Sequence, residues 1–487
     1  MAQWKPTPQK AKTIINRFGD GLNVGQPPLS IGENELTHMQ NMDSEKYPAI
    51  TVRHARKARF TKQDGFCGMG TGYSNKDYLV IATSNAINVF SESGGSTSPS
   101  TPSSSLNTSS TGSFASLPAG ANDYMIFMNS DRKKVFQLGT TAVNISDTNL
   151  PSVGRKPPLC GYKGRVFVAA FGGKTLYYSA LNNPLDWTTA NDAGSIIINF
   201  AILALFEYNN NIYIFSYSSI YILRGSGPDD FAVELLTSKY GCINQSSVTI
   251  CDDKLYFIDS QGIYEHNGVT ITRISDQLKS FFSTLLGPNS FIASVDQYVY
   301  ASYYPAAEQR IAKYNTKHHK WTIETGTYKR FCNVNNKLLG IDGDNNILEF
   351  RTTNVLDITS SDDVAGTPIP WSFVTKPYTE GSMEQKTLSQ LDVMFELSTS
   401  STAFKVQQST DALGPALGTL TTNYENAYST AFTDIFSTNL GSTSLQNRKI
   451  LVPHNMLQNV PWYRLRFAGS GPATIHQIQK TYRVKRR

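Results

Sequence analysis

Residues 209–223 read NNNIYIFSYSSIYIL and contain the unit from which the centre of this chain is built. Two short runs, at residues 212–215 and 220–223, are rich in Ile, Tyr and Phe and are bounded by Asn and Ser. Runs of this kind between turn residues are typical of β-strands, and two of them around a short polar turn are typical of a β-hairpin. The stretch therefore predicts a hairpin.

The same unit recurs six more times along the chain. Residues 252–265 (DDKLYFIDSQGIYE) and 335–350 (NNKLLGIDGDNNILEF) repeat it closely. Four further copies lie at residues 78–90, 124–136, 165–178 and 298–314. Their spacing is near the roughly 40–50 residues of a propeller blade. The repeats predict an all-β fold, a β-propeller of about six to seven blades.

The physical argument for a ring concerns the faces of these small sheets. One meander leaves its apolar faces uncovered, whereas a ring of meanders covers each face with a neighbour and leaves only short, protected edges. Asn and Ser suit the turns because both hydrogen-bond nearby backbone, and Asn tolerates left-handed dihedral angles. Turn spacing alone is also compatible with a set of unrelated β-sandwiches.

The composition indicates a β-rich protein with little charge. Of the 487 residues, 17% are charged and 11% aromatic, and the formal net charge is +6. Basic residues gather at residues 53–59, 131–134 and 483–487, which we interpret as solvated surfaces. Five scattered cysteines without a C-x-x-C pair predict buried thiols in a reducing compartment. No apolar run is long enough for a membrane span, so we expect a soluble protein made in a cytoplasm, without a membrane-spanning segment.

The predicted propeller occupies residues 61–351 and has two unusual segments. Residues 1–60 hold too few apolar residues to pack independently, and they predict an extended N-terminal arm that connects to another subunit. Residues 91–121 are rich in Ser, Thr and Gly, and they predict an exposed insertion.

After the propeller the composition of the sequence changes. Residues 352–367 are polar and predict a linker. Strand-like blocks separated by loops then predict a C-terminal β-sandwich at residues 366–487. Few segments have a helical pattern, and residues 33–42 and 275–286 are the best candidates for helices.

No motif predicts a metal site. Residues 342–346 (DGDNN) begin like a calcium-binding loop, but Ile347 stands at the position that requires glycine and Thr353 at that of the bidentate Glu. A turn between strands is the better interpretation. The neighbouring His318 and His319 would point to opposite sides of a strand, so we expect surface residues rather than ligands.

Catalytic and nucleotide-binding motifs are also missing from the sequence. Residues 68–72 (GMGTG) lack the Lys-Ser/Thr of a P-loop and the spacing of a dinucleotide-binding loop, and we expect a loop that enters a strand. Ser409, Thr410 and Asp411 with Gly414 match only part of an Asp-box turn. We expect no catalytic residues, no cofactor-binding or metal-binding residues and no cofactor, and we predict that the protein is not an enzyme.

Eight passages, taken in order, carry a family resemblance: residues 21–23 (GLN), 27–29 (PPL), 47–49 (YPA), 176–179 (LYYS), 183–187 (NPLDW), 227–231 (GPDDF), 314–322 and 461–467 (PWYRLRF). Together they resemble the β-propeller proteins of the tail hub or nozzle of tailed bacteriophages, the group that stabilises packaged DNA and completes the head-to-tail junction in short-tailed phages. One glycine of the opening motif of that group is replaced here by Asp20.

This resemblance implies a structural protein of the virion tail, made in the host cytoplasm. It implies a homohexameric ring below the portal and its adaptor, in contact with other tail proteins. Such a ring would extend the DNA channel, retain the packaged genome and release it at ejection, with only transient, non-specific contact with the passing double-stranded DNA. Two alternatives are a receptor- or carbohydrate-binding tail module and a tail-associated hydrolase of glycans. Fold analogy alone does not decide among the three functions.

Overall fold

Antiparallel β-sheets make up almost the whole computed structural model of this chain. Seven sheets have four strands each, and two larger sheets have six and five. The all-β prediction is confirmed. The structure describes residues 10–72, 77–92, 99–118, 123–279, 287, 289–303, 310–354, 356–360, 366–397, 403–409, 433–438, 445–451, 457 and 459–485.

The strands are numbered in chain order. The first five are β1 (Lys10–Ile15), β2 (Leu36–Gln40), β3 (Met42–Asp43), β4 (Ile50–Val52) and β5 (Ala55–Phe60). Blade 1 contains β6 (Phe66–Gly72), β7 (Tyr78–Thr83), β8 (Ile87–Ser91) and β9 (Ser100–Ser103). Blade 2 contains β10 (Ser113–Leu117), β11 (Tyr124–Met128), β12 (Lys133–Phe136) and β13 (Val143–Asn144). Blade 3 contains β14 (Leu159–Tyr162), β15 (Arg165–Ala169), β16 (Thr175–Tyr178) and β17 (Gly194–Ile197).

The other four blades follow the same plan. Blades 4 and 5 contain β18 (Ala204–Tyr208), β19 (Asn211–Phe215), β20 (Ile220–Arg224), β21 (Ala232–Thr237); and β22 (Val248–Cys251), β23 (Lys254–Ile258), β24 (Ile263–His266), β25 (Ile271–Arg273). Blades 6 and 7 contain β26 (Ile292–Val295), β27 (Tyr298–Tyr303), β28 (Arg310–Asn315), β29 (Lys320–Thr325); and β30 (Tyr328–Val334), β31 (Lys337–Asp342), β32 (Ile347–Thr352), with β5 as the fourth strand.

The last seven strands follow blade 7. They are β33 (Pro370–Thr375), β34 (Lys386–Leu397), β35 (Ala403–Ser409), β36 (Thr433–Thr438), β37 (Leu445–Leu451), β38 (Arg464–Ser470) and β39 (Ala473–Val484). Short 3-10 helices lie at Phe18–Asp20, Thr189–Asn191 and Asp276–Leu278.

The seven blades close into a ring around one axis. The first strand of each blade contacts the first strands of the two neighbouring blades, and the contact between β30 and β6 joins blade 7 to blade 1. Blade 7 takes its outermost strand, β5, from the segment that precedes blade 1, with Ala58 opposite Leu348. The ring is therefore held shut by strand pairing between its two ends, and the blade number is seven.

Recurring two-residue turns join the first and second strands of several blades. Both central residues have positive φ at Lys163-Gly164, Asn209-Asn210, Asp252-Asp253 and Asn335-Asn336. This geometry matches the twist of a β-hairpin, and Asn, Asp and Gly adopt it most readily. The Asn and Asp residues that mark the repeats in the sequence are thus the turns at one face of the propeller.

Apolar side chains fill the spaces between adjacent blades. Phe167 of blade 3 and Leu205 and Ile214 of blade 4 belong to one buried cluster. Phe215 of blade 4 and Phe257 of blade 5 meet in the next cluster, with ring centroids 5.5 Å apart. Each blade buries both of its faces against its neighbours, as the repeat argument requires.

The two larger sheets form the sandwich. One has the order β3-β4-β39-β34-β37, with β1 also paired to β39, and the other has the order β2-β33-β38-β35-β36. Aromatic side chains from the two sheets pack against each other; the ring centroids of Phe395 and Phe404, for example, are 4.7 Å apart. Residues 10–52 thus supply four strands of the sandwich, in addition to the strands from residues 366–487.

Residues 1–60 were expected to form a separate extended arm, and the described part of this segment does not do so. Its strands β1 to β4 complete the sandwich and β5 completes blade 7. The sequence-based argument counted its apolar residues in isolation, whereas Leu36, Met39 and Ile50 are buried against residues from the end of the chain. A boundary at residue 60 therefore does not separate two bodies.

The insertion expected at residues 91–121 is also corrected where the structure describes it. Strand β9 is the outer strand of blade 1 and β10 is the inner strand of blade 2. Leu106 and Leu117 are fully buried. Ser- and Thr-rich strands suffice here because the neighbouring blades supply the apolar surface.

The helix predicted at residues 33–42 is instead the strand β2, paired with β33. Of the second predicted helix, the structure describes the 3-10 turn Asp276–Leu278, and residues 280–286 lie outside the described residues. In the predicted linker, Ile358 bridges to Lys57 and Asp357 to Thr367.

Candidate functional site

A buried network of charged side chains joins the sandwich to blade 6. Asp43 on β3 pairs with Lys313 on β28. Lys313 Nζ also lies 3.7 Å from a carboxylate oxygen of Glu324 on β29. Arg56 on β5 donates a 2.7 Å hydrogen bond to Glu324. All four side chains are at least nine-tenths buried.

The network continues through Arg53, in the connection between β4 and β5. Its guanidinium pairs with both carboxylate oxygens of Asp357, with Nη1 at 3.0 Å from Oδ1. Its Nε donates to the Asn41 side chain at 3.2 Å. Three cations thus face three carboxylates, and hydrogen bonds accompany the ion pairs. We name this set (Asp43, Arg53, Arg56, Lys313, Glu324 and Asp357) the junction network.

The electrostatics of the junction network favour its charged form. Burial acts to raise the pKa of Glu324, but Lys313, Arg56 and Arg53 outweigh burial and lower that pKa to about 2. Burial also disfavours the charged form of Lys313 and acts to lower its pKa, but Asp43 and the other anionic partners raise that pKa overall. Breaking a buried ion pair of this kind strongly destabilises the folded protein, because the remaining partner is left as an uncompensated charge.

The prediction that residues 53–59 form a solvated surface is therefore wrong for Arg53 and Arg56. Sequence reasoning missed the junction network because its partners lie about 300 residues apart along the chain, as between Arg53 and Asp357. Backbone hydrogen bonds add to the connection, from Leu22 to Trp321 and from Asn41 to Ile323. The propeller and the sandwich are thus joined by polar contacts through their interior.

A cleft of about 660 Å³ opens beside the junction network, between the sandwich and the end of blade 7. Its walls include Glu45, His54, Lys46 and Glu396. The hydrogen bond from His54 lowers the pKa of Glu45 to about 2, with help from Arg351. Glu45 is therefore ionised at neutral pH and poorly suited to donate a proton, which general acid catalysis of glycoside cleavage requires.

Polar side chains connect the inner strands around the propeller axis. The Gln245 amide nitrogen donates to the carbonyl oxygens of Leu159 on β14 and Leu205 on β18, at 3.1 and 2.9 Å. Asn333 on β30 donates to the Ser294 carbonyl oxygen on β26 at 2.7 Å. Neighbouring inner strands therefore approach within the reach of a single side chain.

The axis ends in a pocket of about 390 Å³ at the face where the inner strands begin. Three cationic residues line it: Lys156 before β14, and Lys329 and Arg330 on β30. None of the described lining residues is Asp or Glu. We name this pocket the axial mouth. It also escaped the sequence analysis, because the recognised repeats were the second and third strands of each blade and not the inner strands.

The loop that resembled a calcium site is a turn between β31 and β32, as the sequence analysis preferred. Asp342 Oδ1 accepts hydrogen bonds from the backbone N–H groups of Asp344 and Asn346, at 2.9 and 2.8 Å. Its other oxygen accepts one from the Asn346 side chain at 3.0 Å. The carboxylate that would bind an ion is thus occupied by its own loop.

His318 and His319 lie in the turn between β28 and β29 rather than within a strand. The His318 ring stacks on Tyr47, with centroids 4.8 Å apart, and His319 Nδ1 lies 2.8 Å from the Tyr314 hydroxyl. Residues 68–72 were expected to be a loop, but they belong to the inner strand β6. Of the partial Asp-box, Ser409 ends β35, and residues 410–414 lie outside the described residues.

Within the described ranges, no group of three or more His, Cys, Asp or Glu side chains is placed to hold a metal ion. A search of the same residues finds no helix with the length and apolar character needed to cross a membrane.

Comparisons with known proteins identify no family for this chain. No family model matches the chain, and no curated protein matches it. Among solved structures, one described as YCF48 bound to D1 peptide is 10% identical, covers 63% of this chain and 96% of its own, and has a TM-score of 0.38. Saccharomyces cerevisiae Sqt1 is 9% identical, covers 62% of this chain and 100% of its own, and has a TM-score of 0.38. The WD40 domain of Neurospora crassa Pan2 is 10% identical, covers 63% of this chain and 100% of its own, and has a TM-score of 0.38. At these identities and TM-scores the likenesses indicate no function for this chain.

Proposed function

We propose that this chain is a structural protein of a tailed-bacteriophage virion, without catalytic activity. Copies of it assemble into a ring of six in the tail, below the portal and its adaptor. The ring extends the DNA channel, retains the packaged genome and releases it at ejection. The proposal starts from the ordered sequence resemblance, and three features of the structure support it.

The observation that carries the proposal is the way residues 10–60 run through both domains. Strands β1 to β4 lie in the sandwich, β5 lies in blade 7, and the junction network connects the sandwich to blade 6. Domains joined only by a linker move relative to each other by default, whereas this chain shares strands and buried charges across the boundary. A stiff two-domain body suits a subunit that must hold its shape under the pressure of packaged DNA.

A second feature concerns the path of the DNA. The inner strands of neighbouring blades are linked by single side chains such as Gln245 and Asn333. A B-form duplex has a major groove that alone is about 12 Å wide. We therefore place the channel of our proposal between copies of the chain rather than along the axis of one propeller.

A third feature is an exposed outer edge of the propeller at strand β21; the outer strand β17, with Ile197 79% exposed, presents another. In the described chain, β13 and β25 are only two and three residues long, β9 contains Pro102, and the outer strand of blade 6 contacts β2 and β3. Short strands and proline are ordinary protections of an edge. Strand β21, by contrast, has six residues, no proline, and Leu235 exposed to 55%. We assign this edge to contact with the next copy, since a head-to-tail interface closes a ring.

Electron microscopy of the purified protein mixed with portal–adaptor complexes tests the assembly. We expect six-fold rings on the complexes, and Leu235→Lys should reduce ring formation while leaving the melting temperature unchanged. Val269→Lys is the matched control, since Val269 is 84% exposed in the turn between β24 and β25 of blade 5.

Two results separate the parts of this proposal. A protein that stays monomeric with the complexes at high concentration contradicts the ring. Rings that form equally well with Leu235→Lys contradict only the assignment of the β21 edge.

A further inference from the structure

The axial mouth holds positive charge without local compensation. Neither the Lys156 ammonium nor the Arg330 guanidinium donates a hydrogen bond to any residue in the described ranges. Lys329 is different, because its ammonium reaches the Asn345 side chain. Partly buried cations without a carboxylate are costly in a folded protein, unless another molecule supplies the anion.

The two uncompensated cations are close enough to affect each other. Burial lowers the pKa of Lys156, and the charge of Arg330 lowers it further. Burial also lowers the pKa of Arg330, to about 10. Arg330 therefore stays protonated at neutral pH, so the mouth carries positive charge when it is empty.

The backbone at Lys156 is held in an unusual conformation. Its φ is +44°, in the left-handed region that residues other than Gly, Asn and Asp seldom adopt. A 3.0 Å hydrogen bond from its N–H to the Thr111 carbonyl oxygen of the neighbouring blade holds this geometry. This contact fixes the backbone of Lys156 against the neighbouring blade.

The walls of the mouth set the size and character of a ligand. Phe66, Met69, Phe291 and Tyr328 contribute apolar surface beside the cations. The volume of about 390 Å³ is near the lower end of the range for small-molecule pockets, about 300–1,000 Å³. The mouth therefore fits a small group with one anionic end and a short apolar portion.

We propose that the axial mouth is a binding site for an oxyanion, a carboxylate or a phosphate, on a small ligand or at the end of a peptide chain. The planar guanidinium of Arg330 can donate two parallel hydrogen bonds to such a group, and Lys156 supplies a second charge. The aromatic walls hold the apolar portion. This inference does not depend on ring assembly, so either proposal can fail without the other.

Calorimetric titration of the full chain tests the site. The probes are inorganic phosphate, a short peptide that ends in an aliphatic residue with a free carboxylate, and the same peptide with an amidated end. We expect the phosphate or the free-carboxylate peptide to bind with a dissociation constant below about 1 mM, and the amidated peptide to bind at least about tenfold more weakly than its free-acid form. Which of the two probes binds identifies the source of the oxyanion.

Variants show whether the binding occurs at the mouth. Arg330→Gln and Lys156→Gln should each weaken binding by about 10- to 100-fold, the usual worth of a charge-assisted hydrogen bond. Lys156→Arg keeps the charge and should retain binding. Lys239→Gln removes an exposed lysine after β21 and should change nothing.

Three results would overturn the proposal. The first is that neither phosphate nor the free-carboxylate peptide binds the native protein. The second is that Lys156→Gln binds as tightly as the native chain. The third is equal binding of the free and amidated peptides with no binding of phosphate. Thermal melts of each variant identify any loss of folding. If Arg330→Gln does not fold, the comparison of Lys156→Gln with Lys156→Arg tests whether the ligand binds at the mouth.

Discussion

The junction network and the axial mouth both gather cations, buried at the junction and partly buried or exposed at the mouth, and they differ in what the cations face. At the junction, three cations meet three carboxylates, all contributed by the chain itself. At the mouth, three cations line one pocket and none of the described lining residues is acidic. The comparison indicates that clustered charge serves cohesion where the chain supplies both signs, whereas our proposal assigns it to recognition where the chain supplies only one.

The largest expected effect comes from unbalancing the junction. Glu324→Gln leaves Lys313 and Arg56 without the carboxylate they share, and should lower the free energy of unfolding by about 3–5 kcal/mol. Denaturant titration measures the change. The matched control is Glu234→Gln, which breaks the exposed 3.2 Å pair with Arg224 and should cost less than about 1 kcal/mol. Equal losses for the two variants would refute the assignment of a cohesive role to burial at the junction.

A somewhat smaller effect is expected from acid. The pKa of Glu324 is about 2 in the folded protein against an ordinary value of 4.5. Since the folded pKa is the lower one, the stabilisation is complete above about pH 4.5 and is lost as the pH falls toward 2. It amounts to about 3 kcal/mol for this shift.

The free energy of unfolding, followed from pH 5 to pH 2, checks this prediction. The native chain should lose stability over that interval, and Glu324→Gln should lose about 3 kcal/mol less. The Glu234→Gln curve should run parallel to that of the native chain. If Glu324→Gln also ran parallel, the depressed pKa of Glu324 would be excluded.

The smallest expected effect has the opposite sign and belongs to the mouth. Lys156→Gln removes one of two cations that repel each other, so the ligand-free protein should gain up to about 0.5 kcal/mol of stability. Denaturant midpoints in low-salt buffer without phosphate measure this. A destabilisation of more than about 1 kcal/mol would mean that Lys156 has a structural anion partner and would remove the contrast between the two sites.

The strands differ in how well the sequence predicts them. The seven repeats correspond to the second and third strands of seven blades, because these strands combine strong alternation with Asn or Asp turns. Inner strands such as β6 (FCGMGTG) and β30 (YKRFCNV) lack a regular apolar alternation. Outer strands such as β13, with two residues, are too short to recognise.

Long-range pairing accounts for most of what the sequence could not reveal. Strand β2 was predicted as a helix because its neighbours in the sheet, on β33, come more than 330 residues later. The junction network has the same property, as Arg56 and Glu324 are 268 residues apart. The axial mouth gathers Lys156 and Arg330 from different blades. A single sequence shows which residues are charged, but not which of them meet.

Strand β1 pairs with β39, so Lys10 lies opposite Arg483. A ribosome that adds about 5–20 residues per second needs roughly half a minute to a minute and a half to make the chain between them. Throughout that time β1 lacks its partner strand β39, while blade after blade can already pack. We expect the nascent chain to complete most of its propeller first and to become competent for association only after its final strands leave the ribosome.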